Sequence, residues 1–294
     1  MDVLLDPGKY VLAVSGGVDS IVLLDMLSHD KNLDLVVAHF DHGIRDNSAD
    51  DAKFVEELAS KYGLKFFAEH GELGPDASEA HARKHRYAFL DRVAELTGSR
   101  AIVTAHHQDD LIETALLNIL RGTKRKGLVS LKSTEHIKRP LLQYSKDDLL
   151  KYAQDHGLQW REDSTNQDLK YKRNEVRKYI KESLSPELRL KIIEILNKVE
   201  NDDQQIEEIT QQYLNTQKAN VLDKIIVTEQ PVEVAAEIVA AWLRKNDVGF
   251  NKNTILRIIK GAKELRNGSQ IDVMDDYFCE LSKSQITLKR RWSV

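Results

Sequence analysis

The feature that most constrains this chain is a short apolar run, Tyr10–Val14 (YVLAV). It passes directly into Ser15-Gly16-Gly17-Val18-Asp19-Ser20 and then into a helical pattern over Asp19–Leu27. An unbroken apolar run of this length marks a strand buried on both faces, as in a parallel sheet. The alternation then repeats. Leu33–Phe40, Lys65–Ala68 and Ala101–Ala105 read as strands. Ser48–Lys61, Ser78–Leu96 and Asp109–Leu120 read as helices, with Gly63, Gly98 and Gly122 near their ends. Strands alternating with helices of this length make βαβ units. The expected fold class is therefore α/β, a parallel sheet with helices on both faces.

After about Pro140 the pattern changes. Lys146–His156 reads as a helix ended by Gly157, and residues 160–182 are polar and basic. A charged helical stretch follows from Pro186 to about residue 213. The rest reads as a smaller, mainly helical C-terminal domain. It has helices over Val232–Lys245 and around Thr254–Leu265, then a β-hairpin in which Gln270–Val273 and Gln285–Lys289 flank more strand-like residues and polar turns. The boundaries read as a first domain over 1–184, a connecting helical region over 185–213 and a small domain over 214–294.

The loop at 15–20 carries chemistry. Glycines at a strand–helix junction let the backbone approach an anion closely and take positive φ. The helix that follows presents unpaired N–H groups and a positive dipole end, so phosphate belongs there. Ser15 and Ser20 add hydroxyl donors. Asp19 would repel a phosphate unless a cation lies between them, which implies Mg2+. No G-x-x-x-x-G-K-[ST] or G-x-G-x-x-G occurs, and no lysine lies in the loop.

Bulk properties exclude some classes. The 294 residues are 41% hydrophobic and 31% charged, with Cys279 the only cysteine. One cysteine allows no intramolecular disulfide and no cysteine metal cage, which fits a cytoplasmic protein. No apolar run approaches the ~20 residues of a membrane span, and no basic-then-apolar leader opens the chain. The net charge of −4 argues weakly against non-specific nucleic-acid binding. Two segments are nonetheless basic: Arg121–Lys126 (RGTKRK), and Lys170–Lys181, with six cations against Glu175.

The loop resembles that of the N-type ATP pyrophosphatases. Further segments, in order over roughly 10–180, resemble the tRNA(Ile)-lysidine synthetases within them. These are Ala38-His39-Phe40-Asp41-His42-Gly43-Ile44-Arg45 with Ser48; Glu79-Ala80-His81-Ala82-Arg83-Lys84-His85-Arg86-Tyr87; and Thr104-Ala105-His106-His107-Gln108-Asp109-Asp110-Leu111-Ile112-Glu113-Thr114. Arg121-Gly122 with Gly127-Leu128, Arg139-Pro140-Leu141-Leu142, and Asp163-Ser164-Thr165-Asn166 with Arg173-Asn174-Glu175-Val176-Arg177 complete the series. The resemblance implies that 1–184 is the ATP-binding catalytic domain and that 214–294 contacts tRNA. It implies adenylation of O2 of the wobble cytidine of an isoleucine tRNA with a CAU anticodon. Free L-lysine then attacks C2, giving lysidine, AMP and pyrophosphate.

Residue roles follow from that resemblance and the local pattern. Ser15, Gly16, Gly17, Val18, Asp19 and Ser20 would bind ATP, with His39 and His106 bordering it and Asp19 holding Mg2+. Arg83 or Arg86 would support the adenylation transition state. The plain alternative for Arg83 is an i, i+4 pair with Glu79. Asp109, Asp110 and Glu113 stand in the first turn of a helix, where the dipole alone favours them; with the loop and the histidine pair they suggest Mg2+ or lysine ammonium. Arg121, Lys124, Arg125, Lys126, Lys172, Arg173, Asn174 and Arg177 would face tRNA, although most charge runs are only solvated faces. An NAD synthetase would not need the basic stretch after residue 169, and a thiolating tRNA enzyme would need paired cysteines. A non-catalytic ATP- or RNA-binding protein that has kept the fold stays open. Oligomeric state is open too, with a homodimer as the case to test.

Overall fold

The computed structural model describes all residues except 42, 44–47, 72–78, 162–171, 275 and 292–294. The chain divides into two compact units, Met1–Val199 and Glu200–Val294. The stretch read as a connector is one continuous helix, α8 (Pro186–Asn215).

The first unit alternates as the apolar runs require: β1 (Gly8–Ala13), α1 (Val18–Ser28), β2 (Leu33–Asp41), α2 (Ser48–Lys61), β3 (Lys65–His70), α3 (Glu79–Thr97), β4 (Ala101–Val103) and α4 (Gln108–Leu120). A short α5 (Arg125–Leu128), β5 (Ile137–Lys138), a 3-10 turn at Pro140–Gln143, α6 (Lys146–Asp155) and α7 (Lys172–Ser183) follow. The sheet order is β3-β2-β1-β4-β5, and the pairs are parallel, with Leu12 opposite Val37 on one side and Val103 on the other. The fifth strand is two residues long, too short to register as an apolar run.

Alternate residues of β1 serve opposite faces. Tyr10, Leu12 and Val14 pack with Leu35 and Val37 against α1, α2 and α6 through Ile21, Val55, Ala59 and Leu149. Val11, Val36 and Ile102 pack against Phe89, Leu90 and Val93 of α3. Helices thus cover both faces. One polar device sits under the first face: buried Asp25 of α1 accepts hydrogen bonds from Tyr62 Oη (2.6 Å) and Tyr152 Oη (2.9 Å). Burial and the Asp25 carboxylate push the Tyr152 phenol up to about 12.

The second unit has its own core, in which Trp242 is fully buried with Leu243, Ile258, Cys279 and Ile286. It holds α9 (Lys224–Thr228), α10 (Val232–Lys245), α11 (Lys252–Glu264) and an antiparallel sheet in the order β6-β9-β8-β7. The strands are β6 (Val221–Asp223), β7 (Gln270–Asp272), β8 (Tyr277–Leu281) and β9 (Gln285–Arg290). The strand-like residues expected between 270–273 and 285–289 form β8, which pairs with both flanking strands. Tyr277, Cys279 and Leu281 of β8 alternate inward, onto the core of this unit. Burial pushes the Cys279 thiol up to about 12, so it is an inert core residue.

Candidate active site

In the first sheet the order reverses beside β1: β2 and β3 lie to one side, β4 and β5 to the other. Loops leaving the carboxyl ends of β1 and β4 therefore diverge and leave a crevice, the usual ligand position of open α/β sheets. The β1 exit is Ser15–Ser20. The β4 exit is Thr104–His107.

The first exit is held open by its own polar atoms. Ser20 Oγ donates to the Gly17 carbonyl (2.8 Å), and the Ser15 amide donates to Ser20 Oγ (3.2 Å). Gly16 has φ +91°, which a side chain resists. Gly17 is the N-cap of α1 and gives no side-chain cap, so the first-turn amides stay available to an anion. Arg161 donates its amide to the Gly16 carbonyl (3.0 Å), which fixes the back of the loop.

Asp19 stands in the first turn of α1, and the fold brings a lysine to it. Lys146 Nζ, from the first turn of α6, lies 2.5 Å from Asp19 Oδ1. His107 Nε2 lies 3.7 Å from Asp19 Oδ2 and 3.6 Å from Asp110 Oδ2, so it stands between the loop and α4. Neither Lys146 nor His107 was assigned a role from the sequence. A signal for Lys146 did exist: a cation in a helix first turn opposes the dipole, and here it stands directly before Asp147 and Asp148. Mg2+ is commonly held by one or two carboxylates plus substrate phosphates. Asp19 supplies one such carboxylate, and the described residues contain no cluster of three or more His, Cys, Asp or Glu able to hold an ion. That donor set fits an ion carried in with a nucleotide.

His39 is buried on β2, and its Nδ1–H donates to the Val14 carbonyl (2.9 Å), bracing the end of β1. His106 Nδ1 pairs with Thr104 Oγ1 (2.8 Å). Burial, with Arg139, Arg86 and Arg83 nearby, pulls the His106 imidazole down to about 3 against the pull of Asp110, so the ring is neutral near pH 7. Asp110 shows the opposite balance. Burial alone would raise it, but His107, His106, the His107 amide and Arg177 together hold the carboxyl below its ordinary range. Asp110 Oδ2 accepts from that amide at 3.0 Å, which caps α4.

The arginines of α3 gather around one tyrosine. The Arg83 guanidinium lies 4.7 Å from the centroid of the Tyr87 ring and that of Arg86 5.4 Å. Arg139 joins them. It is 6% exposed, feels the Tyr87 hydroxyl and the Arg83 charge, and donates Nη1 to the Lys132 carbonyl. Arg139 stands in the Arg139-Pro140-Leu141-Leu142 segment, and as a residue before a proline it offers no spacing argument for a role.

The α4 carboxylates meet arginines from far along the chain. Glu113, 2% exposed, accepts from Arg173 Nε on one oxygen and from Arg177 Nε (2.6 Å) on the other. Asp109 pairs with Arg189 of α8 (3.2 Å), which also donates to the Ile180 carbonyl at the end of α7. Asp110 is 3.9 Å from Arg177. Two residues expected to face tRNA, Arg173 and Arg177, thus reach the carboxylates. Arg121 and Lys124 are exposed, while Arg125 and Lys126 are half-buried. Lys172 and Asn174 lie in α7, but their side chains fall outside the described residues, as do His42, Ile44, Arg45 and Asp163–Asn166.

The chain is similar to several known proteins. The PP-loop domain family matches residues 4–184. The tRNA(Ile)-lysidine synthase of Thermus thermophilus is 45% identical over 177 residues, covering 58% of this chain and 34% of that protein. The tRNA(Ile)-lysidine synthase of Nostoc sp. is 31% identical over 266 residues, covering 86% of this chain and 78% of that protein. The chain spans about a third of the length of the Thermus relative it matches. Among solved structures, the U34-tRNA thiolase NcsA of Methanococcus maripaludis shares the fold, with a TM-score of 0.53 at 22% identity over 67% of this chain and 73% of that one.

Proposed function

The chain belongs to the PP-loop family and, within it, to the tRNA(Ile)-lysidine synthases, and from that premise we propose that it joins free L-lysine to a cytidine of tRNA at the expense of ATP. In this reading O2 of the wobble cytidine attacks the α-phosphorus of ATP and pyrophosphate leaves. The ε-amine of lysine then attacks C2, the C2–O2 bond breaks, and AMP leaves with that oxygen. The amine loses its proton as lysidine forms. The tRNA is the isoleucine species with a CAU anticodon.

The observation that carries the proposal is convergence. An uncapped helix end with Ser15, Gly17 and Ser20, the neutral His106 and the ionised Asp110 all stand at the carboxyl edge where the strand order reverses. Ser15–Ser20 would hold the pyrophosphate half of ATP. Mg2+, held by Asp19 and the phosphates, would supply charge neutralisation. Arg83 and Arg86 would offset negative charge developing at the α-phosphate. A flipped base would enter the crevice.

The carboxylates divide by occupancy. Glu113 has both oxygens engaged by arginines and is assigned a positioning role, fixing α7 against α4. Among the described residues, Asp110 Oδ1 has only a 3.9 Å guanidinium contact, so we assign it the lysine ammonium. Arg121 and Lys124, both exposed, would meet tRNA phosphates. No helix among the described residues is long and apolar enough to cross a membrane, and the cytoplasm, where tRNA is found, is the proposed location. A homodimer is the oligomeric state to test by sedimentation.

The deciding experiment follows pyrophosphate release from ATP and incorporation of labelled lysine, with and without the CAU-anticodon isoleucine tRNA. Release and incorporation that both need the tRNA support the proposal. Release without tRNA, or release with no lysine incorporated, would point to a different acceptor and sink it.

A further inference from the structure

A phosphate at the N-terminus of α1 would meet the carboxylate of Asp19 in its first turn, and the loop has no cation of its own. The fold answers it from a distance. Lys146 Nζ sits 2.5 Å from Asp19 Oδ1 across 127 residues of sequence. Its backbone is held on three sides. Ser145 caps α6 by accepting from the Asp148 amide (3.2 Å). The Tyr144 carbonyl accepts from the Gln108 amide at the start of α4 (2.9 Å). Leu149 and Ala153 of α6 pack in the core shared with α1. The ammonium is therefore delivered to the loop by an element tied to the sheet and to α4, while its side chain stays 35% exposed.

We propose that Lys146 is a ligand of the β,γ-phosphates of ATP, parked on Asp19 until Mg2+ takes that carboxylate. This rests on the proposed function above, since it assumes that a magnesium nucleotide fills the loop. The physical reason is competition. A divalent ion and an ammonium cannot both sit against one carboxylate oxygen without repelling, and the displaced ammonium is drawn to the multiply charged phosphates. The pairing also keeps Asp19 from facing the loop uncompensated when no nucleotide is there. A plain brace between α1 and α6 is the competing role, and it makes different demands on ligand binding.

The test compares wild type, Lys146→Met and Lys146→Arg by calorimetry with three probes: inorganic pyrophosphate, the non-hydrolysable α,β-methylene ATP, and AMP, each with and without Mg2+. Melting temperatures are read in parallel. Loss of one charge-assisted contact should weaken pyrophosphate and the ATP analogue about 10- to 100-fold in Mg2+. AMP should change less than about twofold, and Lys146→Arg should recover part of the loss. The melting temperature should fall by no more than about 3 °C, as for one part-exposed ion pair. Unchanged pyrophosphate affinity in Lys146→Met would overturn the inference and leave a brace. So would an equal loss for AMP and pyrophosphate. If wild type itself binds neither pyrophosphate nor the ATP analogue, the functional reading fails, and this inference with it.

Discussion

Ser15–Ser20 is shaped mostly by hydrogen bonds between residues two, three and five positions apart, with the Arg161 amide as a distant brace behind it. Asp109 and Glu113, in the helix that follows the neighbouring strand, are held by residues 60, 64 and 80 positions away. The first region is a backbone device, and its ligand class can be written down from six letters. The second is a side-chain device, and its partners depend on how α7 and α8 pack on α4. The contrast teaches what each can tolerate. A local loop fails in function while the fold survives; a long-range ion cluster fails in both. Predictions that separate function from stability therefore test the comparison directly.

The largest effect is expected at the loop. Asp19→Ala should lower tRNA-dependent pyrophosphate release about a thousandfold, the several kcal/mol a charge-neutralising metal contributes. tRNA affinity and the urea midpoint should stay close to wild type. A parallel loss of tRNA binding would show that Asp19 holds structure and that the loop is less local than its hydrogen bonds suggest.

Glu113 should behave in the opposite way. Glu113→Gln leaves Arg173 and Arg177 against a neutral group, and Glu113 is 2% exposed. Breaking a buried pair from one side costs about 3 kcal/mol, to be read as a fall in unfolding free energy by urea titration. Double-mutant cycles with Arg173→Ala and Arg177→Ala should return much of that cost as coupling. A Glu113→Gln variant with wild-type stability but no lysine incorporation would move Glu113 from positioning to direct amine recognition.

These two regions also mark how far the sequence could be read. The alternating apolar runs located the four longer parallel strands and their helices, because period and glycine stops are local signals. The two-residue β5 escaped for want of length, and β8 was legible only as strand-like residues without bounds. Within the site, the loop and the α4 carboxylates were legible as residues, but not as pairs. That Lys146 meets Asp19 and Arg189 meets Asp109 is decided by helix packing. No spacing in the chain encodes those distances. Arg173 and Arg177 show the same limit: a basic run has the same letters whether its guanidinium groups turn to solvent or to a buried carboxylate.

A smaller effect is expected from His106, whose imidazole is pulled to about 3 from an ordinary 6.5. The unfolded chain binds this proton first as pH falls. The contribution to stability is therefore complete above 6.5 and is lost progressively from 6.5 down towards 3. The slope from this one group is at most about 1.4 kcal/mol per pH unit. Urea midpoints measured from pH 7.5 to 4.5 should fall more steeply for wild type than for His106→Gln. Superimposable profiles would mean that the ring protonates freely and that the crevice wall is wetter than its burial implies.

The smallest effect splits α7 against itself. Lys178 is exposed, one residue after Arg177, whereas Arg173 is bound to buried Glu113. If the basic run serves tRNA only through its outer side, Lys178→Ala should weaken tRNA binding a few-fold and reduce the magnitude of the logarithmic salt slope by about one, with stability untouched. Arg121→Ala and Lys124→Ala should each do the same. Arg173→Ala should instead lower the unfolding free energy and leave the salt slope nearly unchanged, because its charge is already neutralised within the protein. A filter-binding series from 50 to 300 mM salt reads both. If Arg173→Ala flattens the slope as much as Lys178→Ala does, Arg173 exchanges Glu113 for phosphate when tRNA arrives. The long-range ion cluster would then be a latch that the substrate opens, not a fixed wall of the crevice.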